Sequence, residues 1–132
     1  MNAIDTNIII YAFDSAEPKK QRICKGILSD IFNGKSRAAV TNQILAEFVS
    51  IATKKMKKPL RREDARAIVE AIMTSGNWEI FNYTPKTVAN AIESPQPFWD
   101  ALIAQTLREN NIQHIITEND KHFTSIKAIN PF

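Results

Sequence analysis

A chain of 132 residues has the length of one domain and can bury a core without disulfide or metal staples. Hydrophobic residues at 44% and charged residues at 23% fit a water-soluble globular protein, and no stretch approaches the ~20 apolar residues that would span a bilayer. The net charge of +3 is a mild bias towards polyanions, and the single Cys24 excludes an intramolecular disulfide.

Met1 to Ile4 reads as a short buried strand with Asp5 at its end. Helical turns are expected from Thr6 to Phe13, because the apolar run there continues past Asp5 without a glycine. No basic region or small-residue cleavage site accompanies this run, so it is not a signal peptide and a cytoplasmic location is expected. Pro18 suits the first turn of the next helix, which Gly34 ends, with Ile23, Ile27, Leu28 and Ile31 on its inner face. Cys24 falls in this helix and reads as a buried structural thiol of a reducing compartment.

Arg37 to Val40 is a second strand, and Thr41 or Asn42 can cap the helix that follows. Its apolar stripe is Ile44, Leu45, Phe48, Val49 and Ala52, and Pro59 breaks it. Arg62-Glu63-Asp64 opens a further helix with acids where they suit the dipole, and Gly76 closes it. Trp78 to Tyr83 alternates as a third strand. Thr84-Pro85 opens a helix, and Ser94-Pro95-Gln96-Pro97 interrupts before a longer one that runs to about Asn110. Ile112 to Ile116 is a fourth strand and Ile126 to Ile129 a weak fifth. Strands separated by helices, with no repeat or linker, predict one α/β domain over residues 1–132. Its central parallel sheet of four to five strands would be flanked by helices on both faces. Phe13, Phe32, Phe48, Phe81, Trp78 and Trp99 read as core, His114 as a packed or edge residue, and His122 as a surface position beside Phe123.

Acidic and amide residues recur where such a fold puts its ligands. Asp5 follows the first strand, Glu47 lies in the helix after the second, and Asp100 opens a late helix. Thr117-Glu118-Asn119-Asp120 follows the fourth strand. In a parallel α/β sheet these places share one edge. Like charges about 4 Å apart repel by ~4 kcal/mol at an effective dielectric of 20, so converging carboxylates would be protonated, spread apart or neutralised by a cation. Oxygen ligands without His or Cys suit Mg²⁺ or Mn²⁺. Each acid alone is also accounted for as a helix cap or a dipole partner. Lys54, Lys55, Lys57, Lys58, Arg61 and Arg62 crowd one segment, either as a solvated connection or as a clamp for nucleic-acid phosphates.

The run Ile4-Asp5-Thr6-Asn7-Ile8-Ile9-Ile10-Tyr11-Ala12-Phe13-Asp14 resembles the opening of PIN-domain ribonucleases, especially VapC-type toxins of toxin–antitoxin pairs. Ala46-Glu47-Phe48, Phe98-Trp99-Asp100-Ala101-Leu102-Ile103-Ala104 and Ile116-Thr117-Glu118-Asn119-Asp120-Lys121-His122-Phe123 follow in the family's order, with Asn130-Pro131-Phe132 at the end. The resemblance spans the whole chain. It implies Mg²⁺- or Mn²⁺-dependent endonuclease activity on RNA, in which water attacks the phosphodiester and leaves a 5′-phosphate and a 3′-hydroxyl. Asp5 and Asp100 would hold the metal, Glu47 would act as a ligand or through a metal-bound water, and Thr6, Asn7 and Thr117 would support them or contact substrate. The sequence departs from the pattern at Asn119, where many relatives carry an acid, so either Asn119 or the adjacent Asp120 completes the set. The resemblance also implies a homodimer, a small antitoxin partner and RNA contact along Lys54 to Arg62.

Two other readings make different demands. A PIN-like domain that binds RNA or a partner with lost or reduced cleavage is kept open by Asn119. A Mg²⁺-binding phospho-receiver would need a second acid beside Asp5 and an Asp after the third strand, where this chain has Asn7 and Asn82-Tyr83-Thr84.

Overall fold

The computed structural model describes residues 1–132. Strand β1 (Asn2–Ile4) leads through helices α1 (Thr6–Ala12) and α2 (Pro18–Phe32) to β2 (Ala38–Thr41). Helices α3 (Asn42–Lys54) and α4 (Arg62–Thr74) follow, then β3 (Trp78–Phe81), α5 (Pro85–Ala91) and α6 (Phe98–Glu109). The chain ends with β4 (His114–Ile116), a 3₁₀ turn (Asp120–His122) and β5 (Lys127–Ile129). All five strands are parallel, in the order β3-β2-β1-β4-β5. Every residue of β2 is buried, so both faces of the sheet centre are covered by helices, as an all-parallel sheet requires.

Local chemistry explains the boundaries. Thr41 rather than Asn42 caps α3, its hydroxyl accepting from the Ile44 N–H at 3.2 Å. Thr84 and Thr87 form a capping box at α5, with Pro85 in the first turn. The fourth strand starts two residues later than the apolar run suggests. The Ile112 N–H instead turns back to the Leu107 carbonyl at 2.9 Å, and Asn111 takes a left-handed φ of 61° to close α6. The third strand ends at Phe81, because the Tyr83 N–H leaves the ladder for the Asn42 side chain at 3.1 Å.

The core gathers Ile4, Ile8, Ile9, Phe48, Leu107 and Ile115 around the central strands. Each such side chain contributes about 1.5–3 kcal/mol on burial. Two helix faces differ from expectation. Helix α2 buries Cys24, Leu28 and Ile31, while Ile23 is 41% exposed, so the thiol is the core residue and the isoleucine faces water. Helix α3 buries Gln43 with Ile44, Phe48 and Ala52, and leaves Val49 exposed. Trp78 is buried as expected, but Trp99 is 61% exposed and is no core anchor. Phe32 also sits at the margin, tilted against Trp78 with ring centroids 5.4 Å apart. No helix is long and apolar enough to cross a membrane.

The order of the strands decides where a ligand can sit. The chain builds outwards from β1 through β2 to β3, then returns to the other side of β1 for β4 and β5. Between β1 and β4 the connections diverge, opening a crevice at the carboxyl ends of the strands. Asp5 and Thr117 are the residues immediately after those two strands.

Candidate active site

Asp5 extends the β1–β4 ladder, its N–H donating to the Ile116 carbonyl at 3.0 Å, and its side chain then caps α1. Oδ1 accepts from the Thr6 N–H at 2.7 Å. Oδ2 accepts from the Thr117 hydroxyl at 2.7 Å and from Asn7 Nδ2 at 3.2 Å. These donors favour the charged form, yet the carboxylate is only 4% exposed. Burial wins and pushes its pKa up to about 6, and the nearby charges of Asp100 and Glu47 act in the same direction.

Glu47 reaches the same crevice from α3. Its Oε2 accepts from the Thr6 hydroxyl at 3.1 Å, and its Oε1 from Gln43 Nε2 at 2.8 Å. Gln43 Nε2 also donates to the Trp99 carbonyl at 2.9 Å, joining α3 to the first turn of α6 where Asp100 stands. The dipole of that first turn suits an acid. His122 Nδ1 lies 3.1 Å from Asp100 Oδ2. Partial burial raises the Asp100 carboxyl above its usual range, against the opposing pull of His122.

Thr117 ties the last segment in. Its hydroxyl accepts from the Asn119 N–H at 3.0 Å, and the Asn7 side chain accepts the Glu118 N–H at 3.1 Å. Asp5, Thr6, Asn7, Glu47, Asp100 and Asn119 therefore line one cleft of about 250 Å³. Asp120 is not among its walls. It begins the 3₁₀ turn, and its Oδ1 accepts from Asn130 Nδ2 at 3.1 Å. Glu118 also turns away, pairing with Lys20 and the Tyr11 hydroxyl. Lys54, Lys55, Lys57, Lys58, Arg61 and Arg62 are exposed, and Arg61 is engaged by Asp64 at 3.2 Å. This basic segment starts two turns beyond Glu47 on the same helix, about 10 Å along its axis.

The donor set contains only oxygens, which suits a hard divalent cation. No three of its carboxylates or histidines stand in a common ligating arrangement, so the protein would supply few direct ligands and water the rest. Two further side chains join this set. Gln43 sits one helical turn before Glu47, and that i,i+4 spacing is a usable signal for their hydrogen bond. His122 sits at the surface as its sequence position suggests, with its side chain half exposed, yet it contacts Asp100.

The family profile of the PIN domain matches residues 3–129, nearly the full chain. The protein belongs to the PIN-domain family. Solved PIN-type structures share its fold from end to end. A toxin–antitoxin complex from Klebsiella pneumoniae aligns at 21% identity with a TM-score of 0.63, covering 100% of this chain and 98% of the other. A sarcin–ricin-loop-cleaving VapC toxin of Mycobacterium tuberculosis aligns at 15% identity with a TM-score of 0.68, covering 96% and 99%. A VapBC complex of Rickettsia felis, bound to a DNA fragment from its promoter, aligns at 18% identity with a TM-score of 0.63, covering 98% and 97%. Comparison with curated protein sequences gives no match.

Proposed function

We propose that this PIN domain is a Mg²⁺- or Mn²⁺-dependent endoribonuclease and the toxin of a toxin–antitoxin pair. The observation that carries the reading is the convergence of buried Asp5 with Glu47 and Asp100 in one cleft at the strand-order switch. Asp5 and Asp100 would hold the cation most directly, with Glu47 as a ligand or through a water. Bound there, a divalent cation would polarise the phosphoryl oxygen and lower the pKa of the attacking water. The chain's own residues orient the set. The Thr6 N–H and the Thr117 hydroxyl fix the two Asp5 oxygens, and the Thr6 hydroxyl ties Glu47 to the same turn. Asn119, rather than Asp120, offers the fourth side chain, as a neutral amide that can contact substrate. An amide in place of an acid there favours one cation over two.

The partners follow from the same reading. Structures with this fold include toxin–antitoxin and VapBC complexes, which supports an antitoxin partner; the same reading makes the protein a homodimer that binds a small antitoxin encoded beside it. RNA would be the substrate, with the basic segment on its phosphates. The test is cleavage of RNA by purified protein in Mg²⁺ or Mn²⁺. Asp5→Asn and Asp100→Asn should each lose at least ~100-fold in rate, since removing even a residue that supports a metal ligand costs 10–100-fold. Circular dichroism should show both variants folded. Undiminished cleavage by a folded Asp100→Asn variant would sink the proposal. A non-cleaving PIN domain, the reading that Asn119 keeps open, predicts instead that wild-type protein leaves RNA intact with or without chelator.

A further inference from the structure

A second, larger cleft adjoins the acids. It measures about 480 Å³, within the range of small-ligand sites, and its walls include Asn42, Gln43, Glu47, Ser50, Tyr83 and Trp99. Glu47 borders both clefts, and Trp99 is joined by one peptide bond to Asp100. Trp99 is 61% exposed and Tyr83 37% exposed, unusual for aromatic rings of this size. Beside them stand two amide side chains. Gln43 is buried, and its Nε2 donates to Glu47 Oε1 and to the Trp99 carbonyl, which fixes the wall between the acids and the ring. Asn42 carries a free donor. Its Oδ1 accepts from the Gln43 and Tyr83 N–H groups, which leaves Nδ2 as a donor.

We propose that this cleft is a nucleobase subsite, in which one unpaired base of the RNA stacks on Trp99 and meets Asn42 with its polar edge. The proposal rests on the ribonuclease reading and sharpens it, because a base can enter only from a single strand or a loop. An exposed ring beside a free amide donor matches a flat heterocycle with an acceptor on its edge. The walls are mainly apolar, with amide, hydroxyl and carboxylate groups among them, which suits the flat face of a base together with its polar edge. Continuity with the acids through Glu47 and Trp99–Asp100 makes the base a near neighbour of the scissile phosphate.

Trp99 is also the reporter, since Trp78 is buried away from the surface. Cleavage-deficient Asp5→Asn protein, titrated with a short unstructured RNA, should show quenching of tryptophan fluorescence that disappears in the added Trp99→Phe change. In the active protein, Trp99→Ala should raise KM for that RNA roughly tenfold or more, the scale of one lost base stack, with a much smaller effect on kcat. Trp99→Phe should restore most of the loss. Active protein whose KM is indifferent to Trp99→Ala overturns the subsite and leaves the nuclease reading standing. Trp99-dependent quenching in a wild-type protein that cuts no RNA overturns the nuclease reading and leaves the subsite standing. A Trp99→Ala protein that changes oligomeric state while keeping its KM assigns the cleft to a second copy and overturns the proposal.

Discussion

Asp5 is held by three hydrogen-bond donors, yet it titrates high because burial outweighs them. The sign of its effect on stability follows. With a folded pKa of about 6 against a reference of 3.8, the native state holds a proton that the unfolded state releases. Stability should therefore fall as pH rises from about 4 to about 6, by about 3 kcal/mol at most from this group. Urea unfolding of cation-free protein at about pH 4 and about pH 7 should show this slope, and Asp5→Asn should remove that share of it. Equal slopes in the two proteins would mean that the site stays wet enough to solvate the charge. The residue's prominence was legible from the sequence because a strand end is a fixed place in an α/β fold, whatever the packing around it. Glu47 and Asp100 were legible as candidates on the same ground. Gln43 and His122 were not, since an amide on a helix and an imidazole in a turn acquire their partners only when α3, α6 and the last turn are brought together.

At the level of elements, α3 joins two functions along one axis. Its first turns carry Gln43 and Glu47 to the cleft, and its end delivers Lys54 and the basic connection to α4. Met56 is buried and pins this connection, so the neighbouring lysines are presented outward on a fixed turn. If they contact phosphates, each lost contact should lower the slope of log affinity against log salt by about 0.7 for a single strand. Lys57→Ala combined with Lys58→Ala should thus flatten that slope by about 1.4 while leaving the rate at saturating RNA nearly unchanged. A salt dependence identical to wild type would assign the lysines to solvation alone. Element order and type followed from periodicity and caps, but the inner face of a helix did not always. In α2 the core takes Cys24, Leu28 and Ile31, and Ile23 loses its place to the smaller thiol. Trp99 stands at the start of α6, ahead of the continuously buried run Ala101 to Ala104, so its position in the first turn, not its size, decides its exposure.

For the whole molecule, the strand order couples the site to global stability. Asp5 bridges β1 to β4 through Thr117, Thr6 carries the contact to α3 through Glu47, and Gln43 carries it on to α6. Elements distant in sequence thus share one cluster of carboxylates whose mutual repulsion opposes folding, and whose neutralisation would favour it. A divalent cation that binds the folded state alone should stabilise it by about 2.7 kcal/mol when present at about 100 times its dissociation constant. For a domain of this length that corresponds to a rise in Tm of roughly 10 °C. Calorimetry with Mn²⁺ should show the rise, and excess EDTA should reverse it. Because the gain depends on convergent carboxylates, Asp100→Asn should shrink it while raising the Tm of the cation-free protein or leaving it unchanged. A wild-type Tm indifferent to Mn²⁺ and Mg²⁺ would mean that the three acids do not share a cation, and the nuclease reading would then lose its chemical basis even with the PIN fold intact.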